Sequence, residues 1–203
     1  LDSSRGDRYP GSPEAFPTNE LAARLGAAVF VHPVAANEAD LVVEVAGRDG
    51  NSLGRGTQNG LALLSVLHAG VLERLPNLHL VFTSLGNGAL YFAADRIAAL
   101  RDSSGEAPQL YIDTTRFNPA LIRYYADLLG VERVVVGTDW PGRDTTRDHT
   151  DRTLAEAGLD ETQRARVAGG NARRLFGLRA SRSTAAACLP SHPTPANRDE
   201  TPS

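Results

Sequence analysis

The chain has 203 residues, of which 41% are hydrophobic and 22% charged, a composition typical of a globular protein. Its 24 acidic and 21 basic side chains give a formal net charge of -3. We expect no nucleic-acid partner, because no basic field is present to hold a phosphate backbone. No apolar run approaches the roughly 20 residues that cross a bilayer, so no membrane span is expected. The lone Cys188 cannot form an internal disulfide, which favours the cytoplasm.

Two residue types are missing from the sequence. No Met occurs, not even at position 1, and we therefore expect a piece of a longer reading frame. All 21 basic residues are arginines, so the sequence has no lysine that could form a Schiff base or a carbamylated bridge between two metal ions.

The first regular elements are predicted after a polar segment. Residues 1–17 are rich in Gly, Pro and Ser, and we expect them to form a loop. A short helix is predicted over residues 20–25. The apolar run 28–31 predicts a buried strand of a parallel sheet, which Pro33 ends. Leucines and valines at three- and four-residue steps predict an amphipathic helix over residues 60–75.

Strands and helices continue to alternate along the chain. Asn118 followed by Pro119 is a strong helix start signal. Further strands are predicted over residues 78–84, 109–115 and 133–139, and helices over residues 86–100, 118–130, 150–157 and 160–176, the last interrupted at Gly169 and Gly170.

After residue 178 the composition changes to Ser, Thr, Ala and Pro. We therefore divide the chain into a partial-barrel domain over residues 1–178 and a disordered tail over residues 179–203.

This alternation predicts an α/β fold with a parallel sheet and right-handed crossovers. An open doubly wound sheet and part of a (β/α)₈ TIM barrel both satisfy it. Polar residues at the ends of the predicted strands, His32, Ser84, Asp113 and Asp139, favour the barrel, because these strand ends form the active-site mouth of a barrel. A complete barrel needs about 250 residues, and four units make half of one.

His32 and Asp139 are the candidate metal ligands. An imidazole and a carboxylate at two strand ends suit a borderline divalent ion such as Zn²⁺. The alternative is that His32 only packs and that Asp139 caps the next turn. The residues alone leave both interpretations open.

Four other side chains are candidates for substrate binding at the same edge. Trp140 offers an aromatic wall to a planar substrate, and Arg143 a guanidinium to a carboxylate. His149 lies on the same predicted loop, and a solvated loop is the alternative for both Arg143 and His149. Ser84 can donate a hydrogen bond but lacks a neighbouring base that would make it a nucleophile.

Five segments, in this order, resemble the amidohydrolase-related metal-dependent hydrolases, in the branch that includes aminocarboxymuconate-semialdehyde decarboxylase and the resorcylate-type decarboxylases. Any one motif is weak, but their order is specific, and the resemblance covers residues 25–178. The segments are FVHP at 30–33, GVLERLPNLHLVF at 70–82, YID at 111–113, GVERVVVGTDWP at 130–141 and GNARRLFGL at 170–178.

The resemblance implies a (β/α)₈ barrel, of which this chain supplies strands five to eight. It implies that His32 binds the metal after strand five and that Asp139 binds it after strand eight and helps to handle the proton. One divalent ion is implied, zinc first, with manganese or cobalt as alternatives. The activity implied is hydrolysis, or non-oxidative decarboxylation of a small organic or aromatic carboxylic acid. A homodimer remains open.

Two departures from the family pattern matter. The family's first ligands form a His-x-His pair at the end of strand one, and none occurs in these residues. Ser84 stands where the family places a histidine that serves as acid or base, and a serine hydroxyl cannot replace imidazole near pH 7. The alternative is therefore a non-catalytic barrel that acts as a binding or assembly subunit. We expect these 203 residues alone to be inactive.

Overall fold

The computed structural model describes residues 1–34, 44–83, 87–104, 109–115, 117–140 and 146–178. Four parallel strands form one sheet whose spatial order follows the chain order. They are β1 (Ala28–Val31), β2 (His79–Phe82), β3 (Leu110–Asp113) and β4 (Val134–Val135). The predicted parallel α/β sheet is therefore confirmed.

Helices connect and cover the strands. They are α1 (Phe16–Leu25), α2 (Gly50–His68), α3 (Val71–Arg74), α4 (Asn87–Ser104), α5 (Pro119–Leu129), α6 (Arg147–Glu156), α7 (Glu161–Ala165) and α8 (Asn171–Leu175). As predicted, the Asn118 side chain caps α5, accepting a hydrogen bond from Leu121 N at 3.2 Å.

The helix predicted over residues 60–75 differs from the structure at both ends. α2 already begins at Gly50, and it ends at His68, two residues before Gly70. Gly70 has a φ of 64°, a left-handed conformation that breaks the helix, and the chain resumes as the short α3. The leucine spacing continues across this break, which is why the pattern alone suggested a single helix.

The face of the sheet that packs against the helices carries the main hydrophobic core. Val31, Phe82, Ile112 and Val134 form one row across the four strands, since each is the register partner of the next. All four are buried, and they belong to one cluster with side chains of α2, α4 and α5 such as Leu63, Leu67, Ile97, Ile122 and Tyr125. This core fixes the strand ends relative to the helices.

The opposite face, which we call the inner face, has a smaller apolar cluster. Val81, Tyr111 and Val135 are buried there together with Leu175 of α8. Phe30 has the same strand parity as Ala28, which packs at the edge of this cluster, yet 42% of Phe30 is exposed. The inner face is therefore covered on the β4 side and open on the β1 side.

Two segments differ from the predicted loop and strand. Within residues 1–17, Asp2 forms a parallel bridge with His32, so the chain start runs alongside the end of β1 instead of forming only a loop. The fourth strand, predicted over 133–139, pairs only at Val134 and Val135. Beyond it, the Gly137 amide donates to the Thr114 hydroxyl at 3.3 Å, so the backbone no longer follows the sheet ladder.

The last helices hold the start of β4. Asn171 is fully buried, and its side-chain amide donates to the carbonyls of Val131 and Val134 at 2.8 and 2.7 Å. The predicted interruption at Gly169 and Gly170 is confirmed, because Gly169 has a non-helical backbone, with a φ of 175°, and the helix is kinked there. Among the described helices, none is both long and apolar enough to cross a membrane. The predicted tail, residues 179–203, lies outside the described residues.

Candidate metal and substrate site

The carboxyl ends of the four parallel strands meet at one edge of the sheet, and we call the residues that follow them the carboxyl-edge site. His32 follows β1 directly, and Asp139 lies four residues after β4. Both side chains belong to exposed residues. β1 and β4 are the outer strands of the described sheet, so their backbones are three strand spacings of about 4.8 Å apart.

The backbone of His32 is held on both sides. Its amide donates to the Leu1 carbonyl at 2.9 Å, and its carbonyl accepts from the Ser3 amide at 2.8 Å. The imidazole Nε2 lies 3.4 Å from Nη2 of Arg55, which reaches back from α2 and also donates to the Pro33 carbonyl at 3.3 Å. His32 therefore presents its ring to solvent from a fixed backbone.

Asp139 has an unusual backbone conformation. Its φ is 57°, in the left-handed region that costs an L-residue about 1 kcal/mol or more. Strain of this kind persists where the surrounding structure imposes it, and it concentrates at functional sites. The next residue, Trp140, is 80% exposed, so the aromatic wall predicted from sequence lies in solvent at the same edge.

Asp113 is at the same edge but is buried, with 2% exposure. Its Oδ1 accepts from the Thr115 amide at 3.0 Å. A Cβ at Gly137 would lie only 2.6 Å from Asp113 Oδ2 and 2.7 Å from the Thr115 hydroxyl oxygen. Asp113 thus supports the loop that leads to Asp139, and it requires glycine at position 137.

His149, predicted on a loop, lies in the first turn of α6, where it packs against an aromatic ring from the loop that follows β3. The ring centres of His149 and Phe117 are 5.1 Å apart, with 48° between the ring planes. Phe117 follows β3 and has a φ of 47°; it and Asp139 are the non-glycine residues with positive φ in the described part of the chain. Both strained residues therefore lie on loops at the carboxyl edge.

Two predicted site residues, Ser84 and Arg143, lie outside the described residues. The structure does show what holds the strand end just before Ser84. The buried Asn59 of α2 donates from its side-chain amide to the Thr83 carbonyl at 3.1 Å and to the Thr83 hydroxyl at 2.9 Å. Sequence reasoning missed Asn59, because it lies one residue before the helix predicted over residues 60–75.

The residues present fit a divalent ion in ligand type, since an imidazole nitrogen and a carboxylate oxygen are ordinary ligands for such ions. In ligand number they are incomplete. Within the described ranges, no three His, Cys, Asp or Glu side chains are grouped so as to hold a metal ion. This part of the chain therefore supplies at most two ligands, one from each outer strand.

A second polar group lies at the other end of the strands, and we call it the amino-end cluster: His79, Tyr111 and Arg133. Arg133 Nη1 donates to the Tyr111 hydroxyl at 2.7 Å, and the His79 and Tyr111 ring centres are 6.0 Å apart. Burial, and then the positive charge of Arg133, lower the pKa of His79, while a hydrogen bond with Gln109 raises it. Tyr111 and Arg133 are buried and His79 is half-buried, whereas His32 and Asp139 at the carboxyl edge are exposed.

The parallel sheet, its helix layer and the candidate residues at its carboxyl edge are arranged as in part of a TIM barrel. Residues 1–178 match the amidohydrolase family, and the chain belongs to that family. It is 28% identical over 188 residues to the 2-amino-3-carboxymuconate-6-semialdehyde decarboxylase of Dictyostelium discoideum, which covers 82% of this chain and 49% of that enzyme.

Solved structures of decarboxylases share the fold. The 5-carboxyvanillate decarboxylase LigW of Sphingomonas paucimobilis matches with a TM-score of 0.67 and 25% identity, over 87% of this chain and 57% of that enzyme. LigW2 of Novosphingobium aromaticivorans, whose structure contains manganese, matches with a TM-score of 0.71 and 16% identity, over 88% and 56%. The predicted family and the predicted partial TIM-barrel fold are thus confirmed, and the chain spans about half the length of these relatives.

Proposed function

We propose that this protein is a metal-dependent carboxy-lyase that removes CO₂ from a small carboxylic acid. One observation carries the proposal. The exposed His32 follows the first strand, and the exposed Asp139, whose backbone is left-handed, follows the last strand of a sheet that matches decarboxylase structures. The curated relative and LigW are both named as decarboxylases, which favours decarboxylation over hydrolysis.

The proposed substrate is an unsaturated or aromatic carboxylic acid. In the reaction, the bond between the ring or chain carbon and the carboxylate breaks. Its electron pair stays on that carbon, CO₂ leaves, and a proton takes the place of the lost group. We propose that the Asp139 carboxylate takes up this proton from solvent and delivers it to that carbon. We assign contact with a planar substrate to Trp140 and His149, and further substrate contacts to Ser84 and Arg143.

We propose that His32 and Asp139 hold one divalent ion together with ligands from outside the described residues. When bound, such an ion acts as a Lewis acid that polarises the substrate. The ligand types accept Zn²⁺, Mn²⁺ or Co²⁺. Sequence reasoning favours zinc, while LigW2 contains manganese, so the identity of the ion is settled by measuring it in the purified protein.

The metal site is tested by elemental analysis of protein expressed from the complete open reading frame. Wild type should contain about one divalent ion per chain, and His32→Ala and Asp139→Asn should each lower the content more than tenfold. His68→Ala, which removes an exposed histidine of α2, is the matched control and should leave the content unchanged. Equal metal content in all four proteins would contradict the assignment.

Activity is tested with two compounds that the relatives' names supply, 2-amino-3-carboxymuconate-6-semialdehyde and 5-carboxyvanillate, by measuring CO₂ release. Release by wild type, lost in Asp139→Asn, is the expected result. The DNA upstream of the Leu1 codon should also be translated, since a His-x-His pair after an apolar strand would supply the remaining ligands that the family resemblance implies.

A second candidate function is a binding or assembly subunit that has lost catalysis. Ser84, in place of the family histidine, favours it, because no imidazole is then available at that position. Metal content near zero in wild type, with no CO₂ release from either compound, would select this function.

The remaining proposals concern partners and location. We propose a small-molecule ligand, no nucleic-acid partner and residence in the cytoplasm, as the charge and the single cysteine suggest. A homodimer is tested by light scattering. We also propose that residues 1–178 form the domain and that residues 179–203 are a tail, which limited proteolysis should remove first.

A further inference from the structure

Arg55 lies beside the candidate ligand His32, although it belongs to a different element. It is in the second turn of α2, and its side chain extends to the end of β1. Nη2 is 3.3 Å from the Pro33 carbonyl and 3.4 Å from His32 Nε2. These contacts hold one corner of the guanidinium at the carboxyl-edge site.

Within the described ranges, nothing occupies the rest of the guanidinium. An arginine has five N–H donors, and the hydrogen bonds of Arg55 within the described residues use Nη2 alone. No carboxylate among those residues forms an ion pair with it. The side chain is half-buried, so a charge-assisted hydrogen bond is less screened here than on an open surface.

The contact with His32 also places a positive charge next to the imidazole. An arginine can only donate, so His32 Nε2 accepts in this contact. An anion that enters the site finds Nε and Nη1, which have no partner among the described residues, in the planar arrangement that matches a carboxylate.

We propose that Arg55 is a carboxylate-binding residue of this site. Its guanidinium binds the carboxylate of an organic acid next to His32 at the carboxyl-edge site. The inference rests on the proposed function for its choice of ligand, and it assigns a role to a residue that the sequence motifs did not single out. A guanidinium at this position selects acids over their neutral amides, because only the anion gains the charge-assisted pair.

The test uses benzoate and benzamide as probes, which differ only in the charged group. Binding of each is measured by calorimetry to the protein as purified, and again after dialysis against EDTA, so that a metal contribution is separated from that of Arg55. Wild type should bind benzoate more tightly than benzamide in both samples. Arg55→Gln should weaken benzoate about tenfold and leave benzamide unchanged, and Arg55→Lys should fall between.

Arg123→Gln is the matched control, since it removes an exposed arginine of α5 that pairs with Asp127. It should bind both probes as wild type does, and thermal unfolding should show that all variants are folded. Equal affinity of wild type and Arg55→Gln for benzoate, or no preference of wild type for benzoate over benzamide, would overturn the proposal.

This outcome is separate from that of the proposed function. If Arg55 governs benzoate binding after EDTA treatment but the protein contains no metal and releases no CO₂, the carboxylate site stands and the carboxy-lyase function fails. If CO₂ is released and Arg55→Gln changes neither the KM for the acid nor benzoate affinity, the function stands and the role of Arg55 fails.

Discussion

The polar clusters at the two ends of the parallel sheet differ in exposure, although Asp113 at the carboxyl end is also buried. At the amino end, Tyr111 and Arg133 are buried and joined by a 2.7 Å hydrogen bond. At the carboxyl end, His32, Asp139 and Trp140 are exposed, and Asp139 adopts a strained backbone. A polar residue on a strand is therefore not by itself a sign of function. Exposure and strain at the carboxyl end distinguish a candidate site from a polar cluster that stabilises the core.

The largest expected effect is a loss of bound metal without a loss of stability when Asp139 is replaced. Asp139→Gly removes the carboxylate and fits the left-handed φ of 57° without steric cost. We expect metal content to fall more than tenfold while the midpoint of thermal unfolding stays within a few degrees, because relief of strain offsets the entropy of glycine. Elemental analysis and a thermal scan on one sample check this. A large loss of stability would show that Asp139 is structural.

The opposite behaviour is expected at the amino end. Arg133→Met deletes the donor to the buried Tyr111 hydroxyl and should lower the free energy of unfolding by about 2 to 3 kcal/mol, with no change in metal content. Arg123→Met, on the surface of α5, is the matched control and should cost less than about 1 kcal/mol. Urea unfolding measures both variants. Equal losses of unfolding free energy in Arg133→Met and Arg123→Met would show that the amino-end cluster does not stabilise the core.

A smaller loss is expected at Gly137, where the carboxyl edge becomes part of the packed interior. An alanine Cβ would lie 2.6 Å from the Asp113 carboxylate, so one of the two must shift. We expect Gly137→Ala to lower the free energy of unfolding by about 1 to 3 kcal/mol. Gly88→Ala in α4 is the control, since its Cβ meets nothing within 4 Å. A neutral Gly137→Ala would show that Asp113 moves freely and does not support the loop.

Much of the fold could be predicted because local signals and packing agree. The apolar runs at β2 and β3 are buried as expected, and the Asn118 cap is present. The run at β1 is fully buried only at Val31, because Phe30 on the open inner face is 42% exposed. β4 was predicted too long because the run 133–139 is continuous in sequence. Its pairing stops where the Asp113 carboxylate packs against Gly137, and such a contact between distant residues leaves no local pattern.

The candidate site was predictable only where residue type and strand end coincide. His32, Asp139, Trp140 and His149 lie at the carboxyl edge as expected from parallel strands. Arg55 was not predicted, because it reaches the edge from the second turn of a helix whose start, at Gly50, the leucine pattern had placed ten residues later. Side-chain reach across elements is set by packing and not by spacing along the chain.

The smallest expected effect is a pH dependence that arises at the amino end. Burial, and then Arg133, lower the pKa of His79 below its ordinary value of 6.5, so the unfolded chain takes up a proton before the folded chain does. The stability contributed by neutral His79 is complete above pH 6.5 and is lost as the pH falls from there through the lower folded pKa. Urea unfolding between pH 8 and pH 5 should show this decline.

Two histidine variants decide whether the decline belongs to the amino-end cluster. His79→Gln removes the titrating ring beside Tyr111 and Arg133, and it should flatten the profile below pH 6.5. His68→Gln removes an exposed histidine of α2 and should keep the wild-type slope. A slope that survives in His79→Gln would place the proton uptake elsewhere, and the contribution of the amino-end cluster to stability would then not respond to pH.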